Sequence, residues 1–408
     1  MKDQNGGSNS FYHMGIAPRM LDLLDKMKFT VPTPIQYKAI PAAIEGEDVI
    51  GIAQTGTGKT LAFAVPSVQG LLRKKGRCLV LVPTRELALQ VDETFRKIAP
   101  AFGLKTVVII GGASMDKQLS ELRKKPRVII ATPGRLMDHV QQKTIKLADV
   151  EILILDEADR MLDMGFLPDI KRILSFIPKE RQTMLFSATI PGTILKIAST
   201  EMKLPVHIEV APSGTAAEKV SQELFIVKKE DKKRILGKIL SEYKGSVLVF
   251  SRTKIGAKKI TSTVKNMGHR AAEIHSDRTL GQRKEALEGF KRGRYRILVA
   301  TDIAARGIDV TGIELVINFD LPDDTENYVH RIGRTGRAGL EGRAISFATP
   351  EQGNDVRNIE RLIKTSLPIL EHPDFPAEKF ISSSGSKKRP FRGARKKVPE
   401  RTKRRIRR

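Results

Sequence analysis

Eight residues, Ala53-Gln54-Thr55-Gly56-Thr57-Gly58-Lys59-Thr60, set the reading of this 408-residue chain. The apolar run Val49-Ile50-Gly51-Ile52 before them suits a buried strand, and Leu61-Ala62-Phe63-Ala64-Val65 after them continues as a helix. Strand, glycine-rich turn and helix start together make a cradle for phosphate. Gly56 and Gly58 let backbone N–H groups approach an oxyanion, and the helix start adds the positive end of its dipole. In such a loop the Lys59 ammonium reaches the β- and γ-phosphates, and the Thr60 hydroxyl is placed to ligate Mg²⁺. Ala53 stands where this pattern usually opens with glycine.

Further along, Ile152-Leu153-Ile154-Leu155 leads straight into Asp156-Glu157-Ala158-Asp159. Carboxylates at the carboxyl end of a buried strand lie where doubly wound sheets place their ligands. Asp156 is expected to hold Mg²⁺ through water, and Glu157 to orient or deprotonate the attacking water.

Around these stretches, short apolar runs alternate with amphipathic ones. Strands are expected at Leu79–Val82, Thr106–Ile110, Val128–Ala131, Ile152–Leu155 and Met184–Phe186, with helical patterns between most of them. That alternation argues for an α/β fold with a mainly parallel sheet. The pattern lapses at Ala211-Pro212-Ser213-Gly214-Thr215-Ala216-Ala217, the composition of a flexible linker. A second series follows, with strands near Val247–Phe250, Ile297–Ala300, Leu315–Asn318 and Ala344–Phe347, and a closing helix near Glu351–Thr365. The halves echo each other. Leu79–Val82 before Pro83-Thr84-Arg85 resembles Val247–Phe250 before Ser251-Arg252-Thr253, and Ala131-Thr132 resembles Ala300-Thr301, both at a shift of about 168 residues. A constant shift is expected when one fold is used twice, here with a cleft between the copies. The expected layout is a disordered segment 1–10, a first domain 11–210, a linker 211–218, a second domain 219–366 and a basic disordered tail 367–408.

Composition narrows the partners. One cysteine, Cys78, sits in an apolar run, so no intrachain disulfide or cysteine-held zinc arises, which fits a reducing compartment. No apolar run has the length of a membrane span, and the first residues lack a signal-peptide core, so the cytoplasm is the expected location. The net charge of +26 implies attraction to a polyanion, nucleic acid first, although charge alone does not separate RNA from DNA or from an anionic membrane. Residues 387–408 hold thirteen Lys or Arg and one Glu, about half the excess.

The tetrad Asp156-Glu157-Ala158-Asp159, in a chain carrying Gln54-Thr55-Gly56-Thr57-Gly58-Lys59-Thr60, resembles the DEAD-box ATP-dependent RNA helicases of superfamily 2. The resemblance spans residues 11–366, and a compact chain with a basic C-terminus is most similar to the bacterial RhlE-type group. It implies two tandem RecA-like domains, each a mainly parallel sheet flanked by helices, with ATP and Mg²⁺ as cofactors. Phe29 with Thr33-Pro34-Ile35-Gln36 matches the family's adenine-recognition motif: Gln36 on the adenine edge, Phe29 on the ring, Phe11 as the upstream aromatic. Plain core packing of Phe11 and Phe29 is the alternative. Pro83-Thr84-Arg85-Glu86-Leu87, Gly111-Gly112 and Thr132-Pro133-Gly134-Arg135 match RNA-contact motifs, which implies RNA binding by Thr84, Arg85, Gly112, Thr132 and Arg135. Contacts of this kind grip the phosphate backbone and carry little sequence specificity. Ser187-Ala188-Thr189 matches the motif linking the nucleotide site to RNA, so Ser187, Thr189, Asp159 and His330 are expected to couple the domains.

In the second half, His330-Arg331-Ile332-Gly333-Arg334-Thr335-Gly336-Arg337 matches the family's arginine motif, with Arg334 and Arg337 as fingers on the γ-phosphate. Such charge is worth roughly 10³–10⁵ in rate. In Ala300–Asp309 the match places Thr301 on RNA and Gly307 and Asp309 at the nucleotide, and Arg252 is a further phosphate contact. Two departures stand out: His275-Ser276 and Leu280 replace the usual His-Gly and downstream Gln, with Arg283 retained, and Ala338 replaces an aromatic found in some members.

With the phosphate loop and carboxylates in one half and the arginines in the other, the site is expected to assemble only when the halves close. RNA held by both halves then favours closure, and ATP tightens RNA binding in return. Family likeness implies local prising of short duplexes, with RNA, single-stranded or as short duplex, as the partner, and ribosomal or RNA-decay complexes as candidate assemblies. No membrane role is expected. The basic tail would hold RNA non-specifically, or serve as a solubilising or ribosome-associated extension. The rival is an ATP-gated RNA clamp of low turnover; Glu157, Arg334 and Arg337 favour turnover.

Overall fold

The computed structural model describes residues 10–54, 56–210, 220–305, 313–336, 341–375 and 378–381. Thr55, Gly307, Asp309, Arg337, Ala338, the linker and the tail from residue 382 lie outside the described residues.

The first lobe has strands β1 (Val49–Ile52), β2 (Arg77–Leu81), β3 (Thr106–Ile109), β4 (Val128–Ala131), β5 (Val150–Asp156), β6 (Gln182–Ser187) and β7 (Val206–Glu209). Its helices are α1 (Pro18–Lys26), α2 (Pro34–Glu45), α3 (Lys59–Arg73), α4 (Arg85–Ile98), α5 (Met115–Arg123), α6 (Pro133–Gln141), α7 (Ala158–Asp163), α8 (Leu167–Ser175) and α9 (Gly192–Glu201). The second lobe has β8 (Val220–Ile226), β9 (Val247–Phe250), β10 (Ala271–Ile274), β11 (Ile297–Ala300), β12 (Leu315–Asn318) and β13 (Gly342–Ala348). Its helices are α10 (Lys232–Glu242), α11 (Lys254–Asn266), α12 (Leu280–Lys291), α13 (Asp302–Ala305), α14 (Thr325–Ile332) and α15 (Gly353–Ile363).

Each lobe is built on one parallel sheet, ordered β3-β4-β2-β5-β6-β1-β7 in the first and β10-β11-β9-β12-β13-β8 in the second. The orders agree strand for strand, β1 with β8 through β6 with β13, and β7 is the first lobe's addition. The echo between the halves thus joins β2 to β9 and β4 to β11. Central strands such as Val128–Ala131 and Val247–Phe250 are buried along their whole length, because helices cover both faces of a parallel sheet. Cys78 belongs to this core, and burial pushes its thiol up to about 12, where it is inert.

The sequence did not announce β7, β8 or β10, nor the path of the chain after α15. There the Leu224 N–H donates to the Pro368 carbonyl (2.9 Å) and the Leu370 N–H to the Leu224 carbonyl (2.8 Å). These bonds cover the edge that β8 would otherwise leave unpaired. Leu367 and Phe375 are buried, and the Ile381 N–H bonds the Pro350 carbonyl at 2.9 Å. The second lobe therefore runs to Ile381, past the boundary at 366 expected from the sequence.

The lobes meet through α4 and α12. Arg283 Nη2 donates to Glu86 Oε2 across the cleft at 2.7 Å with both residues buried, and Leu280 packs against an apolar cluster of the first lobe. Among the described residues no helix is long and apolar enough to cross a membrane.

Candidate active site in the cleft between the lobes

β1 runs into the glycine turn, and Gly56 and Gly58 take left-handed φ values of +88° and +91°. At Gly58 a Cβ would collide with the Gln36 amide, so only glycine lets α2 lie this close to the loop. Gln36 accepts the Thr33 N–H (2.9 Å) through Oε1 and donates through Nε2 to the Gly58 carbonyl (3.0 Å). One N–H and one lone pair remain on that amide, matching the two-way pairing an adenine edge offers. Phe29 is 40% exposed and Phe11 only 3%. Phe29 is open to stack on a ring, whereas Phe11 packs in the first-lobe core. Lys59 is the first residue of α3 and is buried, its Nζ donating to the Ala53 carbonyl at 2.7 Å. The Thr57 hydroxyl closes the turn on the Gln54 carbonyl at 2.8 Å, and Thr60 follows on the helix.

Asp156 ends β5 beside this loop. Burial pushes its carboxyl up to about 7; Lys59 opposes that shift and Glu157 adds to it. Glu157 sits at φ +52°, a left-handed conformation rare for a residue with a side chain and a form of strain found at functional sites. Burial works against its charge, yet Arg160, Lys59 and Arg334 outweigh burial and hold it below the usual carboxylate range. Arg160 Nη1 lies 2.6 Å from Glu157 Oε2, with both groups buried. Of the three cations that favour the Glu157 charge, Arg334 comes from the second lobe. Asp159 is held low in the same way, burial being overcome by Arg160, Lys59 and His330. Its Oδ2 accepts the N–H groups of Ala188 (3.2 Å) and Thr189 (2.9 Å) and the Thr189 hydroxyl (3.0 Å), while its own N–H donates to Ser187 Oγ (3.1 Å). Asp159, Ser187, Thr189 and His330 therefore come together.

The residues expected on RNA gather along the carboxyl ends of β2, β3, β4, β9 and β11. Thr84 caps α4, its hydroxyl accepting the Leu87 N–H at 3.2 Å. Arg85 lies flat against Gly111 and Gly112, where φ is +74° at Gly112 and a Cβ would strike the guanidinium. Thr132 occupies the N-cap position of α6 without a side-chain cap bond, and Arg135 Nη1 reaches the Ala113 carbonyl at 3.1 Å. In the second lobe Arg252 Nε stands 3.3 Å from Asp323, and the Thr301 N–H bonds the Ile274 carbonyl at 3.3 Å.

Several supporting residues escaped the sequence reading. Arg160 follows the acidic tetrad directly and buffers Glu157. Arg331, buried inside the arginine motif, forms a bidentate pair with Asp302 (2.6 and 2.7 Å) and donates to the Asp320 carbonyl at 2.5 Å. That pair ties α13 to α14. Glu86 and Arg283 were visible only as motif members, because a contact across the cleft has no local pattern.

Two lobes of one topology, each on a parallel sheet, with a phosphate loop in the first and a buried arginine from the second directed at its Glu157 carboxylate, define a tandem RecA-like nucleoside triphosphatase of the helicase type. Residues 33–197 match the DEAD/DEAH box helicase family and residues 231–339 the helicase conserved C-terminal domain. The chain is 42% identical over 363 residues to the ATP-dependent rRNA helicase RRP3 of Debaryomyces hansenii, covering 88% of this chain and 76% of that protein. It is 41% identical over 367 residues to the DEAD-box ATP-dependent RNA helicase CshA of Bacillus cereus, covering 89% and 70%. Its fold matches S. cerevisiae Dbp5 bound to RNA and ADP BeF3, with TM-score 0.79, 29% identity, and coverage of 89% of this chain and 96% of that one. It also matches Mss116p bound to ssRNA and AMP-PNP, with TM-score 0.81, 28% identity, and coverage of 92% and 82%. The chain belongs to the DEAD-box family of ATP-dependent helicases, and ATP is its nucleotide.

Proposed function

We propose that RNA bridging the two rims of strand ends draws the lobes together, completes the ATP site and couples hydrolysis to local unwinding or remodelling of RNA. The observation that carries this reading is the meeting of the lobes at the cleft: Arg283 of the second donates to Glu86 of the first at 2.7 Å, and the buried Arg334 of the second lobe favours the charged form of Glu157 in the first. Lys59 leaves the Ala53 carbonyl for the β- and γ-phosphates, Glu157 orients the attacking water, and Arg334 with Arg337 meets the charge that develops on the transferring phosphoryl group. Asp159, tied to Ser187 and Thr189 and facing His330, transmits lobe closure to the loop.

Mg²⁺ fits the donors present. Asp156 is a carboxyl raised to about 7 by burial, and Thr60 carries a hydroxyl on the first turn of α3. Among the described residues no group of three or more His, Cys, Asp or Glu side chains is arranged to hold a metal ion by itself. One carboxylate and one hydroxyl, completed by phosphates and water, is a donor set that suits Mg²⁺. When bound, the ion neutralises phosphate charge.

Phosphate-directed contacts support RNA recognition with little sequence preference. The thirteen cations of residues 387–408 support placement near the RhlE-type group, and one buried, inert cysteine supports a cytoplasmic location. ATP hydrolysis measured without nucleic acid, with RNA and with DNA tests the proposal: stimulation by RNA well above DNA is expected. Equal rates in all three would refute it, and tight ATP-dependent RNA binding without turnover would favour the clamp.

A further inference from the structure

The pairing β1–α3 in the first lobe recurs as β8–α10 in the second, and both helices open on a buried lysine, Lys59 and Lys232. The connection before Lys232 is Val227-Lys228-Lys229-Glu230-Asp231, with no glycine and no cradle. The Lys232 ammonium turns inward to the strand ends. Its Nζ donates to the Phe319 carbonyl at 2.9 Å and the Phe347 carbonyl at 3.4 Å, and stands 3.6 Å from Asp320 Oδ1. The other carboxylate oxygen, Asp320 Oδ2, accepts the Arg252 N–H (3.1 Å) and the Ser251 hydroxyl (3.3 Å). Asp320 also donates its own N–H to the Phe250 carbonyl at 3.4 Å. From that anchored backbone the Arg252 side chain leaves for the rim, resting on the Leu321 carbonyl (3.4 Å) and Asp323 (3.3 Å).

We propose that Lys232 is a positioning residue for RNA engagement by the second lobe: it fixes Asp320, Asp320 fixes the Ser251-Arg252 turn, and the turn presents the Arg252 guanidinium to an RNA phosphate. The proposal rests on Arg252 being an RNA contact. A charged anchor suits this place, because an apolar residue would remove the donor that the Phe319 carbonyl receives and leave one face of the Asp320 carboxylate without its cation. Lys232 touches neither nucleotide nor RNA, so its effect travels through Arg252.

The test is a double-mutant cycle on the RNA concentration giving half-maximal ATPase stimulation, with wild type, Lys232→Met, Arg252→Ala and the double variant at fixed salt. Lys232→Met is expected to raise that concentration about 3–30-fold, the range of coupling through a positioning residue, and Arg252→Ala at least as much. Lys232→Met keeps KM for ATP and kcat at saturating RNA, and the double variant is no weaker than Arg252→Ala alone. Additive effects, or a fall in kcat with RNA affinity intact, would overturn the role of Lys232 while leaving Arg252 on RNA. An Arg252→Ala protein with normal RNA affinity removes the RNA contact and this proposal with it. Should Lys232→Met fail to fold, Asp320→Asn keeps the shape and weakens the same link, and additivity with Arg252→Ala there is equally decisive.

Discussion

The two lobes share a strand order, yet they treat the charges at their strand ends in opposite ways. In the first, β5 ends in Asp156 and Glu157, one carboxyl raised by burial and the next held in a left-handed backbone conformation. In the second, β12 ends at Asn318, Phe319 and Asp320 follow it, and the polar groups are answered from within. The Asn318 amide donates to Ser346 Oγ at 3.0 Å and its carbonyl oxygen accepts Arg331 Nη1 at 3.2 Å, while Asp320 is shared between Lys232 and the Ser251-Arg252 turn. The same fold thus stores an unmet electrostatic demand in one copy and a satisfied scaffold in the other. A nucleotide is needed to complete the first; the second needs only to be brought close.

If that division holds, the largest single loss should come from Arg334, the charge that the satisfied lobe turns toward Glu157. Arg334→Ala is expected to lower RNA-stimulated kcat by about 10³–10⁵ while ATP still binds, measured by single-turnover hydrolysis beside equilibrium nucleotide binding. A kcat within tenfold of wild type would break the comparison at its centre. Next is Glu157→Gln, expected to cost about 10²–10⁴ in kcat. ATP-dependent RNA binding should persist in that variant, because the groups that close the lobes are untouched. Undiminished hydrolysis would remove Glu157 from the chemistry.

The Arg283–Glu86 pair between the lobes gives a third, smaller effect. Arg283→Met leaves Glu86 buried and unpaired only when the lobes are closed, a cost of about 3–5 kcal/mol confined to that state. Closure read by fluorescence transfer between dyes on the two lobes should then require more RNA and ATP. An unchanged closed fraction would mean that α4 and α12 separate in the working complex.

Much of this division could be read in the residues. β1, the glycine turn and α3 form one local unit, and the acidic tetrad completes β5, so the nucleotide half was legible from contiguous stretches. The second lobe's scaffold was not. Lys232 sits in the run Lys228-Lys229-Glu230-Asp231-Lys232-Lys233-Arg234, which gives no sign that one ammonium of the run turns inward. β10 is Ala-Ala-Glu-Ile, poor in strand-forming side chains, and it is a strand because β11 pairs with it. Segment 367–381 has no period at all; main-chain bonds hold its described residues, to β8 at Pro368, Leu370 and Glu378 and to Pro350 at Ile381, and main-chain bonds are invisible in a side-chain pattern.

That last segment allows the mildest test, by two truncations. Ending the chain after Ser386 removes the thirteen cations of residues 387–408 and leaves both lobes intact. RNA affinity should fall, with the slope of log affinity against log salt shrinking by about 0.7 for each single-strand phosphate that the tail no longer neutralises, while basal ATPase and Tm stay put. Ending it after Ser366 removes in addition Leu367 and Phe375, both buried, and uncovers the edge of β8. Burial of two such side chains is worth about 3–6 kcal/mol, so this shorter protein should melt several degrees lower. Equal melting temperatures for the two truncations would return residues 367–381 to the tail and end the second lobe at α15.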